Sequence, residues 1–164
     1  MPLTGGRCGA AGILKRGEFG RMFVGTYSNK LDRKGRVSVP AEFRALLKAD
    51  GWEGAVLFPN LFHQAVEGGT GSYLDAMLAE WDGLPEVERE DRTMALVPNV
   101  RRLEWDEGGR IVLPEEMIAH AGLTETVVFT GMRKSFMLWS PEGWAERQAQ
   151  AAARAREARV GRPQ

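Results

Sequence analysis

The stretch LDRKGRVSVP, residues 31–40, returns 74 residues later as WDEGGRIVLP, residues 105–114. Each copy contains an Asp, two variable residues, a Gly, an Arg, a mostly apolar run of three residues and a Pro. A shared core alone would require only the apolar positions to repeat. Because polar residues repeat as well, the pattern indicates two copies of one folded unit with a specific turn.

Each copy has the pattern of a β-hairpin. In the first, Leu31, Val37 and Val39 alternate with Arg36 and Ser38, which predicts strands on either side of a turn because successive strand side chains point to opposite faces. Asp is favoured at the first turn position, and Gly is favoured where φ is positive. The residues predicted to shape the turns are therefore Asp32, Gly35, Asp106 and Gly109.

A helix is predicted after each Pro, since residues 41–49 and 115–121 have apolar residues at helical spacing. The rest of the chain predicts strands at 54–59, 61–66, 126–131 and 135–140, a Gly-rich loop at 67–71, and helices at about 73–81, 85–96 and from Ser140 onward.

Composition limits the function classes. The 164 residues carry 22 basic and 22 acidic side chains, so the chain is not a general polycation. Residues 1–48 nevertheless hold ten basic and three acidic side chains, against two and ten in residues 49–99. This asymmetry favours an anion-binding face near the first copy, although a solvated basic surface is an open alternative.

Several classes of site are not predicted. There is no run of about 18 apolar residues, so no membrane span is expected, and the chain is predicted to be cytoplasmic. Cys8 is the only cysteine, and His63 and His120 are isolated, so neither a disulfide, a metal nor another cofactor is expected. Asp32 and Asp106 lack a nucleophile or metal partner, so an enzyme is not predicted.

Three further features have ordinary structural explanations. The loop EGGTG, residues 67–71, lacks the lysine of a phosphate-binding loop and is expected to be a connector. Trp105, Trp139 and Trp144 could stack on single-stranded nucleic acid but have the spacing of core residues. The tail after Glu146 could be a basic arm, with a solvated helix as the default.

Two segments carry a family resemblance. Between Met22 and Trp144 the chain resembles the MraZ family, tandem relatives of the AbrB-type swapped-hairpin DNA-binding proteins. The resemblance lies in the segments MFVGTYSNKLDRKGRVSVPAEFRALL and LEWDEGGRIVLPEEMIAHAGLTETVVFTGMRKSFMLWSPEGW. The resemblance implies an α+β fold: a pseudo-symmetric swapped-hairpin (AbrB-like) β-barrel built from two tandem β-turn-β-α repeats, with helices outside. The expected parts are an extension at 1–21, disordered or upstream of the natural start; a first repeat with linking helix at 22–96; a second repeat at 97–145; and a helical or disordered tail at 146–164.

The resemblance also implies a function. Such proteins regulate transcription by binding repeated boxes in double-stranded DNA ahead of the division and cell-wall gene cluster, their own promoter included. They assemble into a ring-like homo-oligomer and lie in the cytoplasm with the nucleoid. An antitoxin-like module with a protein as its main partner is the alternative.

The residues suggest how DNA would be held. Arg can pair with guanine edges, whereas Lys contacts phosphate. Arg36 is predicted to read bases, and its structural alternative is an ion pair with Asp32. The second copy is less basic, so Arg110 is expected to be more structural. The full predicted DNA-binding set is Arg36, Lys34, Arg33, Lys30, Arg110, Arg101 and Arg102.

Overall fold

The computed structural model describes residues 21–160 and has an α+β fold with antiparallel strand pairing. The extension predicted at 1–21 lies outside the described residues, except for Arg21. The first half contains β1 (Thr26–Lys30), β2 (Arg36–Ser38), α1 (Ala41–Ala49), β3 (Gly54–Pro59), β4 (Val66–Gly69), α2 (Gly71–Trp81) and α3 (Glu86–Leu96). After a 3-10 helix (Val97–Asn99), the second half contains β5 (Arg101–Glu104), β6 (Arg110–Val112), α4 (Glu115–Ala121), β7 (Thr126–Gly131), β8 (Phe136–Trp139) and α5 (Pro141–Val160).

The two halves of the chain exchange strands. One sheet has the order β1-β7-β8-β4-β3-β5, and β2 and β6 form a separate two-stranded ladder. In the sheet, β1 pairs with β7 and β5 pairs with β3, so the first strand of each half lies on a strand of the other half. The β2–β6 ladder also joins the halves. The pairs β3–β4 and β7–β8 stay within their own halves, whereas the first two strands of each half pair only with strands of the other half.

Two predictions about this sheet were wrong. The strands flanking each turn were expected to pair as a hairpin, but β1 and β2 diverge after the turn because each finds its ladder partner in the other half. The expected barrel is not closed: β1 and β5 are the edge strands of the described six-stranded sheet, and the β2–β6 ladder lies across its inner face without extending it.

The sheet is covered on both faces, which explains the continuous apolar runs at 54–59 and 126–131. Its inner face packs with the ladder, α1 and α4 in one core centred on Phe43, Phe129 and Phe136. On the outer face, α2 and α3 cover Val56 and Phe58. Trp144 of α5 covers Trp139 on the same outer face. Trp139 is thus in the core, as expected, and is not available as a stacking platform.

The strand predicted at 61–66 was misplaced. The structure puts β4 at Val66–Gly69, within the stretch expected to be a Gly-rich loop. Residues 61–65 bend instead, because Asn60 Oδ1 accepts the backbone N–H groups of Phe62 and His63 at 2.8 Å each. Gly68 is required by packing, since a Cβ there would lie 2.6 Å from the Phe136 ring. The other predicted strands and helices are confirmed to within a few residues.

Candidate nucleic-acid interface

The first repeated turn is held by one carboxylate. Asp32 Oδ1 accepts the backbone N–H groups of Lys34 and Arg36 at 2.9 Å each, and Asp32 Oδ2 accepts from Arg36 Nε at 2.7 Å. The N–H of Gly35 donates to the Asp32 carbonyl at 3.0 Å, and Gly35 has a φ of +82°, which side chains with a Cβ rarely adopt. The turn therefore fixes both the backbone and the direction of the Arg36 side chain.

The second turn repeats these contacts. Asp106 Oδ1 accepts from the backbone N–H groups of Gly108 and Arg110 at 2.9 and 3.0 Å, and Oδ2 accepts from Arg110 Nε at 3.1 Å. Gly109 has a φ of +79°. Despite the change from Arg33 and Lys34 to Glu107 and Gly108, both turns orient their arginine in the same way.

These contacts stabilise the ionised form of the two turn carboxylates and lower the pKa of each. The backbone N–H of Arg36 is the largest influence lowering the pKa of Asp32, and its guanidinium and the N–H of Lys34 act in the same direction. The pKa of Asp106 is lowered in the same way, chiefly by the N–H of Arg110. Because hydrogen bonds to the charged form favour it, each carboxylate remains an acceptor at neutral pH.

The β2–β6 ladder brings the two arginines onto one exposed face. Its register places Arg36 opposite Val112 and Ser38 opposite Arg110, while Val37 pairs with Ile111 and faces the core. Diagonal neighbours in such a ladder have Cα atoms about 7–8 Å apart. Arg36 and Arg110 are diagonal neighbours, so this exposed face of the ladder, termed the ribbon below, carries both arginines, and each guanidinium is bound to the Asp of its own turn.

The two ends of the ribbon differ in charge. Lys30, Arg33 and Lys34 are exposed at the end that carries the first turn. The described residues give the side chains of these three cations no ion pair or hydrogen bond. At the other end the turn presents Glu107 and Asp106. The first end therefore has the stronger positive field.

Arg101 and Arg102 are used differently from the ribbon arginines. The Nη2 atom of Arg101 donates to Glu116 at the start of α4 at 3.2 Å, and its Nη1 donates to two backbone carbonyls. The Arg102 guanidinium lies 4.6 Å from the ring centroid of Trp52. Neither residue belongs to the ribbon, so the structure does not bring them together with Arg36 and Arg110.

Arg44 belongs to the site and was not predicted from the sequence. It lies on α1, donates from Nε to the Val39 carbonyl at 3.0 Å, and packs on the second turn, where a Cβ on Gly109 would come within 2.6 Å of its guanidinium. The equivalent residue 74 positions later is Ile118, which contacts Gly35 in the first turn. Comparison of the two copies could have identified Arg44, because an arginine there replaces an apolar residue.

Within residues 21–160 there is no group of three or more His, Cys, Asp or Glu side chains placed to hold a metal ion. Over the same part of the chain, none of the helices combines the length and the apolar character that a membrane span needs.

Sequence comparisons place these features among known proteins. A family model described as "MraZ protein, putative antitoxin-like" matches residues 22–57 and 99–162. A protein named transcriptional regulator MraZ from Gluconobacter oxydans is 43% identical over 141 residues, covering 82% of this chain and 85% of that protein. Proteins of the same name from Xanthobacter autotrophicus and Rhodospirillum rubrum are each 38% identical, covering 84% and 73% of this chain and 88% and 79% of their own lengths.

Proposed function

The chain belongs to the MraZ family, and we propose that it is a DNA-binding transcriptional regulator that reads DNA with its β2–β6 ribbon. The observation that carries the proposal is the ribbon itself, on which Arg36 and Arg110 share one exposed face. The major groove of B-DNA is about 12 Å wide and admits a two-stranded ribbon. No catalytic role is proposed.

The Asp32 contact supports a base-reading role for Arg36. An ion pair in the turn was the structural alternative, and the pair is present, but it occupies Nε of the guanidinium. The guanidinium carries further donors on its two Nη atoms, and a guanidinium already fixed in direction loses less conformational freedom when it binds. Asp32 thus positions Arg36 for a guanine edge, and the two uses are compatible.

The remaining cations have supporting roles in this proposal. Lys30, Arg33 and Lys34 surround the first turn and contact phosphates, which adds affinity without sequence information. At the second turn, Arg110 and Arg44 contribute the positive charge. Arg101 and Arg102 are assigned to flanking phosphates, since both lie on β5 and outside the ribbon.

The finer parts of the proposal follow from the family. The targets are repeated boxes ahead of the division and cell-wall gene cluster, including the protein's own promoter, and the protein lies in the cytoplasm with the nucleoid. The strand exchange supports an AbrB-like swapped-hairpin arrangement within one chain. A ring-like homo-oligomer would present several ribbons to repeated boxes, and linked binding events raise the overall affinity.

A footprint on the chain's own upstream region tests the proposal. Purified protein alone should protect a series of repeated boxes, and competitor DNA of scrambled sequence should not remove the protection at equal concentration. Uniform protection that scrambled DNA abolishes equally well would refute sequence-specific regulation.

A second candidate function is an antitoxin-like module that binds a protein. It is favoured by the family description and by α3, a helix rich in acidic residues that exposes Val87 and Met94. Affinity purification from the native host distinguishes the two functions. A stoichiometric protein partner together with absence of a DNA footprint would support the second and exclude the first.

A further inference from the structure

The loop that joins β3 to β4 and the turn that joins β7 to β8 lie at opposite ends of the sheet. The strands β4 and β8 are antiparallel, and their register pairs Val66, the first residue of β4, with Leu138 near the end of β8. The loop at residues 60–65 precedes β4, and the turn at residues 132–135 precedes β8. Because the two strands run in opposite directions, the loop and the turn are at different ends of the pair.

The loop at residues 60–65 exposes a large apolar side chain that is held in place. Phe62 is 72% exposed. Asn60 Oδ1 accepts its backbone N–H at 2.8 Å, and Asn60 Nδ2 donates to buried Glu67 at 2.8 Å. The guanidinium of Arg92 in α3 lies 5.8 Å from the centroid of the Phe62 ring. A side chain on an ordered loop loses less conformational freedom when it binds a partner.

A groove of about 490 Å³ opens at the other end of the sheet, between α1 and α2. Lys134 of the turn before β8 lines it, as does Phe23, whose backbone pairs with Arg133 of the same turn. Its volume is within the range of pockets that hold small ligands, about 300–1,000 Å³, so it suffices for an aromatic side chain. Its apolar walls are formed by Phe23, Leu46, Ala49, Tyr73 and Ala76.

The surroundings of Phe62 and of the groove differ in charge. The helix α3 lies beside Phe62, since its Arg92 covers the ring, and it has four exposed carboxylates against two arginines. The groove has Arg21 and Lys134 on its walls against one carboxylate, that of Asp50. The surface around Phe62 is therefore net negative, and the groove is net positive.

We propose that Phe62 of one chain docks in the groove of a second copy, so that the chains assemble head to tail. Phe62 cannot occupy the groove of its own chain, because the two lie at opposite ends of the sheet. Their opposite charges favour the contact and fix its orientation.

This junction deepens the proposed function, because it rests on the self-association proposed there and identifies its surfaces. A contact between two different surfaces leaves one of each kind free on every growing assembly, and it ends in a ring when the rotation between neighbours closes. None of the ribbon residues lines the groove or belongs to the Phe62 loop, so the ribbons of all copies stay available for DNA.

Two variants of the full chain, one on each surface, test the junction in the absence of DNA. Phe62→Ala removes the inserted ring, and Ala76→Trp fills the groove. Each should weaken self-association tenfold or more in sedimentation equilibrium, since a buried aromatic anchor carries much of the energy of an interface. Both positions are exposed in a single chain, so neither change removes a core contact. Val112→Ala alters another exposed apolar side chain, on the ribbon, and should leave association unchanged.

Mixing the two variants tests whether the two surfaces bind each other. The Ala76→Trp chain keeps its Phe62, and the Phe62→Ala chain keeps an open groove. At a concentration where neither associates alone, an equimolar mixture should form a dimer of one chain of each kind that does not grow further. This dimer would also show that both variants are folded. Wild-type association of either variant, or a mixture that stays monomeric, would overturn the junction.

Two further outcomes separate this junction from the rest of the proposed function. If the wild type is monomeric, the junction and self-association are both wrong, while the DNA footprint still tests base reading by the ribbon. If a different protein binds the wild type and Phe62→Ala but not Ala76→Trp, the groove belongs to that protein, and docking of a second copy is refuted.

Discussion

Replacing Arg36 by Ala should remove sequence discrimination while leaving the fold intact. Arg36 and its partner Asp32 are both more than a third exposed, so their ion pair contributes little to stability. Asp32 also keeps its bonds to two backbone N–H groups, which do not depend on the Arg36 side chain. The turn should therefore keep its shape in the variant.

The expected loss can be estimated from the chemistry of the contact. A bidentate arginine–guanine pair discriminates against the wrong base by about 1–3 kcal/mol. Its removal should therefore reduce the ratio of affinities for specific and scrambled DNA by roughly 5- to 150-fold. Arg110→Ala should reduce the ratio less, because its end of the ribbon carries Asp106 and Glu107 and is expected to lie less deeply against DNA. Both variants should have similar stability, since their ion pairs have the same geometry.

Binding titrations over a salt series separate base contacts from phosphate contacts. Lys34→Ala should weaken binding to both DNAs and reduce the slope of log affinity against log salt by about one. Lys48→Ala is a matched control, since Lys48 is an exposed, ion-paired lysine in the last turn of α1 and outside the ribbon. If Arg36→Ala keeps the full affinity ratio, the first turn does not read bases and the assignment of the ribbon is refuted.

Three other predictions concern the fold and the assembly. Folding lowers the pKa values of Asp32 and Asp106, so these two carboxylates should stabilise the fold fully above about pH 4. That stabilisation should be lost as the pH falls through their folded pKa values. Urea unfolding at a series of pH values should therefore show a smaller decrease in the free energy of unfolding for the corresponding Asn variants than for the wild type. A fragment of residues 22–84 should not fold as a monomer, since β1 and β2 would lack their partner strands β7 and β6. A fragment that is monomeric by sedimentation and also unfolds cooperatively would contradict this. Light scattering should find assemblies larger than the 18.1 kDa chain, and these should persist when Lys34 and Arg36 are replaced by Ala. A monomeric wild type, or an assembly that is lost in this variant, would contradict self-association through surfaces outside the ribbon.

Sequence periodicity predicted the local elements well where one physical signal decided them. The helix after Pro114 ends at Gly122, whose φ of +64° is the left-handed conformation expected of a C-terminal glycine. The helix after Ser140 begins with the Gly143 N–H donating to Ser140 Oγ at 3.0 Å. These signals are contained within a few neighbouring residues, so one chain is enough to recognise them.

Strand partners could not be predicted in the same way, because alternation shows which face is buried but not what covers it. The pattern around residues 31–39 is the same whether β2 pairs with β1 or with β6. The choice depends on burial in the whole fold: β2 and β6 together close the inner core, which a local hairpin would leave uncovered. The same choice places Arg36 beside Arg110 and leads Arg44 to the turn of the other half. From the sequence, one basic turn was predicted to bind DNA, whereas the strand exchange forms a two-arginine face to which both halves of the chain contribute, and this face is the element that we propose binds DNA.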